Sequence, residues 1–277
     1  MPEEVWRIGP MWDMRQIPYI EPNVTLPKVR YGGIHQSLSG ARTMDITGYR
    51  GEYGFEINWM DEVDYQFLEM LFTGQIQGPY RLLNPLKRNL LSPQATSLET
   101  SRSPKSGVIL ASGNMLRTYD NTFTTSPLAG VISGWSGSAP IAFDKAKATP
   151  ILVGQPVTGS IYMKSSTPTT VELRLEYWKQ GVFTGVFGVA SVVTTSTWAR
   201  YNITRTSLSD NRDGVVFSIL PSTYPSPLYV AAPQVEMATS PSTWQPGGGA
   251  PVVLMDQFPV ESLRFPLRNV KLTLLEA

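Results

Sequence analysis

Strict alternation of apolar and polar side chains constrains this chain more than any other feature. Val157, Gly159, Ile161 and Met163 alternate with Thr158, Ser160, Tyr162 and Lys164. Val171, Leu173, Leu175 and Tyr177 alternate with Glu172, Arg174, Glu176 and Trp178. A period of two places each set on one face, so both runs read as half-buried β-strands. WARYNIT, GVVFSIL and PLYVAAPQVE supply three more candidates, separated by Pro, Gly and Ser turns. Short strands repeated in this way indicate a sandwich or jelly roll. The 23 glycines and 23 prolines among 277 residues suit such a chain, because glycine supplies positive φ and proline fixes φ at turns.

The first third has a different character. Residues 30–60 read as a β-meander, with ARTMDIT and EYGFEINW as two strands around a turn in GYRG. One helix follows in DEVDYQFLEMLFTG. Asp61 is placed to cap it, Glu62 and Asp64 set negative charge against its first turn, and Gly74 is a natural stop. Val63, Phe67, Met70 and Leu71 are spaced as one buried stripe. A short strand in GPYRLLNP comes next, and from about Asn89 the chain turns rich in Ser and Thr.

That region ends at the glycine-rich stretch 246–251, which reads as a linker. Too few residues remain after it to make a domain. Val270, Leu272 and Leu274 nevertheless alternate with Lys271, Thr273 and Leu275, so this tail is expected to return to the first sheet. The expected organisation is a discontinuous domain, 1–88 with 251–277, carrying an inserted β-sandwich at 89–247. A loose C-terminal strand on the second domain is the alternative.

Composition excludes several classes. The net charge of +1 gives no general attraction to a polyanion, so specific nucleic-acid binding is not expected. With no cysteine, disulfides and thiolate metal sites are excluded. No apolar run approaches the roughly 18 to 20 residues that cross a bilayer, so membrane insertion is not expected. The acidic start Met-Pro-Glu-Glu is unlike the basic start of a signal peptide, which leads to the expectation of synthesis in the cytoplasm.

Residues that could carry chemistry are few. His35 is the sole histidine, and no nucleophile elbow accompanies it, so a triad has no foundation. Asp61, Glu62 and Asp64 are better explained by helix capping than by a glycosidase carboxylate pair. The GGGAP stretch lacks the Lys-Ser/Thr of a phosphate loop. The chain is therefore expected not to be an enzyme. Trp198 and Trp244 read as packing residues. Trp178 differs, because period two sets it on a polar face with Glu172, Arg174 and Glu176. An aromatic among polar groups there is a candidate sugar platform, and Tyr162 and Lys164 occupy the corresponding face of the preceding strand. The plainer reading is that Trp178 caps a strand end or meets a neighbouring subunit.

Two resemblances bear on function. GGIHQSLSGARTMDITGYRGEYGFEINW, the helix, GPYRLLNP, RNLLSPQATS and the ending FPLRNVKLTLLEA resemble minor and distal tail proteins of actinobacterial siphophages. These motifs cover about 100 residues, and the order of elements is similar to the tail-tube fold. The insert resembles jelly-roll carbohydrate-binding modules of families four and nine, through NLLSPQATSLE, ISGWSGS, TWARYNIT and YVAAPQVEMATSPSTWQPG. In that resemblance Trp135 corresponds to a packing residue.

The resemblances imply a mainly β virion tail protein that forms a sixfold or threefold ring with copies of itself and joins other tail proteins. The inserted module would bind a host cell-surface glycan or serve as decoration. A major tail-tube subunit with a decorating domain and a dedicated glycan-recognition protein are the rival readings. No cofactor is expected. Such modules often hold structural calcium, for which Glu99 and Glu236 would supply oxygen, although the sequence has no dense acidic loop.

Overall fold

The computed structural model describes residues 5–18, 20, 24–31, 33–37, 40–44, 48–100, 107–135, 139–145, 148–205, 212–222 and 227–277. The fold is mainly β, in antiparallel sheets, and the chain divides into two units. One comprises Trp6–Pro10, Arg15–Leu82 and Pro251–Ala277. The other is built on Leu83–Ala250, with Met11–Met14 belonging to it.

In chain order the first strands are β1 (Arg7–Gly9), β2 (Arg15–Gln16), β3 (Lys28–Tyr31), β4 (Ile34–Gln36), β5 (Arg42–Met44) and β6 (Gly48–Met60). Helix α1 (Glu62–Phe72) and β7 (Tyr80–Leu83) follow. Helix α2 (Pro93–Thr96) then precedes β8 (Val108–Ile109), β9 (Asn114–Tyr119), β10 (Leu128–Ser133), β11 (Ile141–Phe143) and β12 (Thr149–Pro150). The longer strands are β13 (Val157–Ser165), β14 (Thr170–Lys179), β15 (Val182–Val193), β16 (Ala199–Arg205), β17 (Gly214–Pro221) and β18 (Leu228–Glu236). The chain ends with β19 (Val252–Gln257), β20 (Val260–Arg264) and β21 (Leu267–Glu276).

The first unit holds an eight-stranded sheet in the order β2-β1-β7-β19-β21-β6-β3, with β20 beside β21, and a separate β4–β5 pair. The chain end is integral to the sheet, since β21 pairs with β6 from Arg268↔Met60 to Leu275↔Glu52. Phe55, Ile57, Leu272 and Leu274 meet Phe67, Leu68 and Leu71 of α1 in one core. Tyr53 lies at its margin, where burial, with the Glu276 carboxylate as a lesser cause, pushes the phenol up to about 12. Asp61 caps α1 by accepting from Asp64 N at 2.9 Å.

Two expectations for this unit are corrected. The buried stripe of α1 is Tyr65, Phe67, Leu68 and Leu71, while Val63 is 68% exposed. Val63 lies about 140° around the helix from Leu68 and so falls off the buried face, while the Arg268 guanidinium covers the Tyr65 ring at 3.8 Å and pairs with Glu62 at 2.9 Å. GYRG is not a turn. It runs inside β6 and pairs with β3 from Lys28↔Gly51 to Tyr31↔Gly48, and Gly51 N donates to Glu276 Oε2 at 2.8 Å. Asp45–Thr47 of the expected hairpin lie outside the described residues.

The second unit is a sandwich of two sheets, β16-β13-β18-β10-β9 and β15-β14-β17-β11-β8 with β12 beside β17. Ile161, Met163, Leu173, Leu175, Phe217 and Val230 are among the side chains that fill the space between them. Gly159 points into the same core, where a Cβ would stand 2.6 Å from the Phe217 ring. A bulge governs β18. Val230 and Val235 are five apart and would face opposite ways in a regular strand, yet both reach the core. Ala232, with φ of 49°, and Pro233 stand where the register against β13 shifts, and the extra residue turns both valines inward.

The glycine-rich stretch differs from its reading as a linker. Residues 247–250 are buried. They are zipped to the incoming segment by Gly248 N to Leu91 O at 2.7 Å, Gly249 N to Asn89 O at 2.9 Å and Asn84 N to Gly249 O at 2.9 Å. At Gly247 a Cβ would stand 2.4 Å from Leu91 O. These glycines permit two backbones to approach closely, and they close the sandwich where its two ends meet.

Candidate functional site

The outer face of the five-stranded sheet gathers aromatic and charged side chains. Register assembles it row by row. Leu116 pairs with Val131, Val131 with Tyr229, and Tyr229 with Lys164. Trp198, just before Ala199, which pairs with Met163, completes the row on the far strand. Five strands at their normal spacing make this row about 19 Å long. Leu116 at one end is 70% exposed.

Charge is set at the other end. The Lys164 ammonium lies 4.8 Å from the Trp198 ring centre and 5.1 Å from that of Tyr229. It donates to Asp120 Oδ2 at 2.6 Å. Asp120 also accepts from Trp198 Nε1 at 3.1 Å and from Thr122 N at 2.8 Å. The Lys164 hydrogen bond, then that of the Thr122 side chain, hold the Asp120 carboxyl well below the usual carboxylate range, against the opposing effect of burial.

The neighbouring row, Thr118, Ala129, Ala231, Tyr162 and Arg200, is roofed by Phe123. Phe123 contacts the Tyr162 ring edge-on at 4.9 Å and the Trp198 ring at 4.8 Å. Arg200 donates to Ser160 Oγ at 2.9 Å and to Ser242 O. Phe123 and these loop contacts cover the second row and one end of the first, where Trp198 is half-buried, while Leu116 at the other end is exposed. The first row joins an apolar half to an aromatic half topped by a cation. Such a surface suits a polyhydroxylated chain, whose C–H faces pack on rings and whose hydroxyls bond to the charged groups.

The six residues singled out from sequence do not come together. Between Ser165 and Thr170 the chain crosses from one sheet to the other, so Tyr162 and Lys164 lie on the face just described and the other four on the outer face of the six-stranded sheet. There Glu172 pairs with Arg174 at 2.6 Å, and Arg174 covers the Phe187 ring at 4.9 Å. Glu176 is only 6% exposed and accepts from Ser218 Oγ at 3.0 Å. Trp178 is half-buried against Ala142, Ala148, Val216 and Met11, with the Phe183 ring 6.1 Å away. Its Nε1 is buried without a hydrogen-bond partner among the described residues. Glu172, Arg174 and Glu176 each have a polar partner, and Trp178 packs against apolar neighbours.

Trp198, Tyr229, Asp120 and Leu116 carry the site and were not read from the sequence as doing so. Trp198 read as core, yet it is half-buried on the outer face. Among the other tryptophans, Trp135 is buried and donates to Ala139 O at 3.2 Å, and Trp244 donates to Pro233 O at 3.3 Å. Ser136–Ser138 of the GWSGS motif lie outside the described residues. His35 is exposed in the small β4–β5 hairpin.

The residues do not fit a calcium site shared by Glu99 and Glu236. Glu99 pairs with Arg117 at 3.6 Å, while Glu236 is buried and accepts from Ser242 N, Ser242 Oγ and Gln234 Nε2. Among the described residues no group of three or more His, Asp or Glu side chains could hold a metal.

No protein-family model matches this sequence, and no curated protein matches it. Among solved structures, similarity is found to carbohydrate-binding jelly-roll modules and to a phage tailspike domain. The xylan-binding CBM22-1 domain of Paenibacillus barcinonensis Xyn10C shares 11% identity, covering 53% of this chain and 94% of its own, with a TM-score of 0.40. A CBM4 module shares 12% over 53% of this chain and 99% of its own, with a TM-score of 0.37. The enzymatically active domain of bacteriophage CBA120 tailspike protein 4 shares 12% over 54% of this chain and 21% of its own, with a TM-score of 0.39. At this level the likeness concerns the β-sandwich and assigns no ligand.

Proposed function

We propose that this chain is a non-catalytic structural protein of a phage-type tail whose β-sandwich binds an extended cell-surface glycan along the Leu116–Trp198 row. The observation that carries the glycan reading is the row itself, which crosses five strands, exposed and apolar at Leu116 and half-buried and aromatic with a paired cation at the other end. The tail reading is supported by the sequence resemblance of the first unit and of the chain end to siphophage tail proteins. In that reading the first unit makes a ring with its own copies, sixfold or threefold, and contacts other tail proteins.

Calorimetric titration of the full chain with soluble wall polysaccharide from an actinobacterial host tests the glycan reading. Trp198→Ala is expected to weaken binding by about 1 to 3 kcal/mol, the scale of losing a large buried contact, and Trp178→Ala is expected to leave it unchanged. Equal loss in both variants, or no heat with the parent chain, removes this site. Gold-labelled antibody against the chain is expected to decorate the tail of the particle, and unlabelled tails would end the tail reading.

A further inference from the structure

Residues 120–127 join β9 to β10 and cover part of the outer face of the five-stranded sheet. At the centre of this cover Phe123 is buried. Its ring packs with Ala129, Ala231 and Ala232, and with Tyr162, Trp198 and Trp244 around them. Ala129 and Ala231 are paired across β10 and β18, so two small side chains side by side leave a depression in the sheet surface. Phe123 fills it.

The cover is held to the sheet by side chains. Among the described residues, the main chain of 121–126 makes no backbone hydrogen bond outside the loop. Phe123 N donates to Asp120 O at 3.1 Å, and Thr122 N to Asp120 Oδ1 at 2.8 Å, both within it. Two holds remain, the Asp120 carboxylate on Lys164 and Trp198, and the Phe123 ring. Asn121, Thr122 and Thr124 are exposed. A segment with so few bonds to the body opens at a lower free energy than the strands beside it.

We infer that Phe123 occupies a sugar subsite, and that a pyranose ring of the bound glycan takes its place between Tyr162 and Trp198 when the loop lifts. This subsite rests on the glycan reading of the adjoining row, which it continues through Trp198. The phenyl ring stands edge-on to Tyr162 at 4.9 Å and tilted against Trp198 at 4.8 Å. A pyranose is a six-membered ring of similar size, whose C–H faces pack on the same aromatic surfaces. The Arg200 guanidinium lies 5.6 Å from the Tyr162 ring centre, and its Nε is buried without a hydrogen-bond partner among the described residues. A sugar hydroxyl beside Tyr162 can accept from that donor, and an all-carbon ring cannot.

The parent chain then binds at this subsite only through the fraction with its loop lifted, and the apparent affinity falls by that fraction. For an open state populated on the order of 1 to 10%, Phe123→Ala is expected to tighten binding of the soluble wall polysaccharide about tenfold or more. Calorimetric titration of the full chain and the variant measures it. A ring that serves packing alone gives the opposite pattern, with lower thermal stability and affinity unchanged or weaker. Thr124→Cys, carrying an environment-sensitive fluorophore in a chain with no other cysteine, is the second measurement should Phe123→Ala not fold. Its emission is expected to shift as polysaccharide is added. Unchanged or weaker affinity in the folded variant, or unchanged emission while the polysaccharide binds, overturns the subsite and leaves the glycan reading standing. No heat with either protein ends that reading and this inference with it.

Discussion

Lys164 is bonded to Asp120 at 2.6 Å while its ammonium lies over the faces of Trp198 and Tyr229. One lysine thereby joins β13 to the loop after β9, to the start of β16 and to β18. The pair is largely sheltered, with the Lys164 and Asp120 side chains 20% and 16% exposed. It contributes to the sandwich as well as to the candidate site.

Stability is expected to depend on this pair in a defined pH range. The folded Asp120 pKa is lowered, so its contribution is fully present above the unfolded value of about 3.9 and is lost as pH falls through the folded value. Asp120→Asn is expected to cost about 1 to 2 kcal/mol at pH 7. The difference from the parent chain should shrink steadily below about pH 4. Urea unfolding of both proteins at several pH values measures it, and a difference constant with pH would contradict the linkage.

Gly159→Ala tests the sandwich core. The added methyl would lie 2.6 Å from the Phe217 ring and 3.2 Å from Leu175, both fully buried. Overpacking of this kind costs about 1 to 3 kcal/mol. The expected result is a lower urea midpoint with the same slope.

Gly247→Ala tests the closure of the sandwich. Its Cβ would meet Leu91 O and Ser92 O, backbone atoms that cannot rotate away as a side chain can. The cost is expected to reach about 3 kcal/mol or more. Amide exchange at Gly248 and Gly249, whose N–H groups bond to Leu91 and Asn89, should accelerate first. Unchanged protection there would show that a linker reading suffices.

Removal of residues 252–277 takes away β19, β20 and β21. Phe55 and Ile57 of β6 then lose the strand that carries Leu272 and Leu274. Calorimetry is expected to show loss of the first unit's unfolding transition and retention of the sandwich transition. Two intact transitions would mean that β6 holds its sheet without β21.

Local pattern made much of this structure legible. Helix α1, its Asp61 cap, and strands β13, β14, β16, β17, β18 and β21 follow from periodicity and capping residues. β15 escaped because VFTGVFGVASVV does not alternate, its glycines breaking the pattern. GYRG misled for the opposite reason, since glycine inside a strand looks locally like glycine in a turn.

By itself, then, the sequence determined the regularly alternating strands, such as β13 and β14, and the face each side chain takes there, because a period of two is a property of the extended backbone. It could not determine which strands share a sheet. Tyr162, Lys164 and Trp178 all read as polar-face positions in the sequence, yet the crossing after Ser165 sends Trp178 to the other sheet. Trp198 and Tyr229 reach Lys164 through strand pairings that span 34 and 65 residues of chain. Pairing over such distances depends on how whole sheets pack and on bulges such as that at Ala232. Only the tertiary structure decides it, because no local periodicity specifies a partner strand.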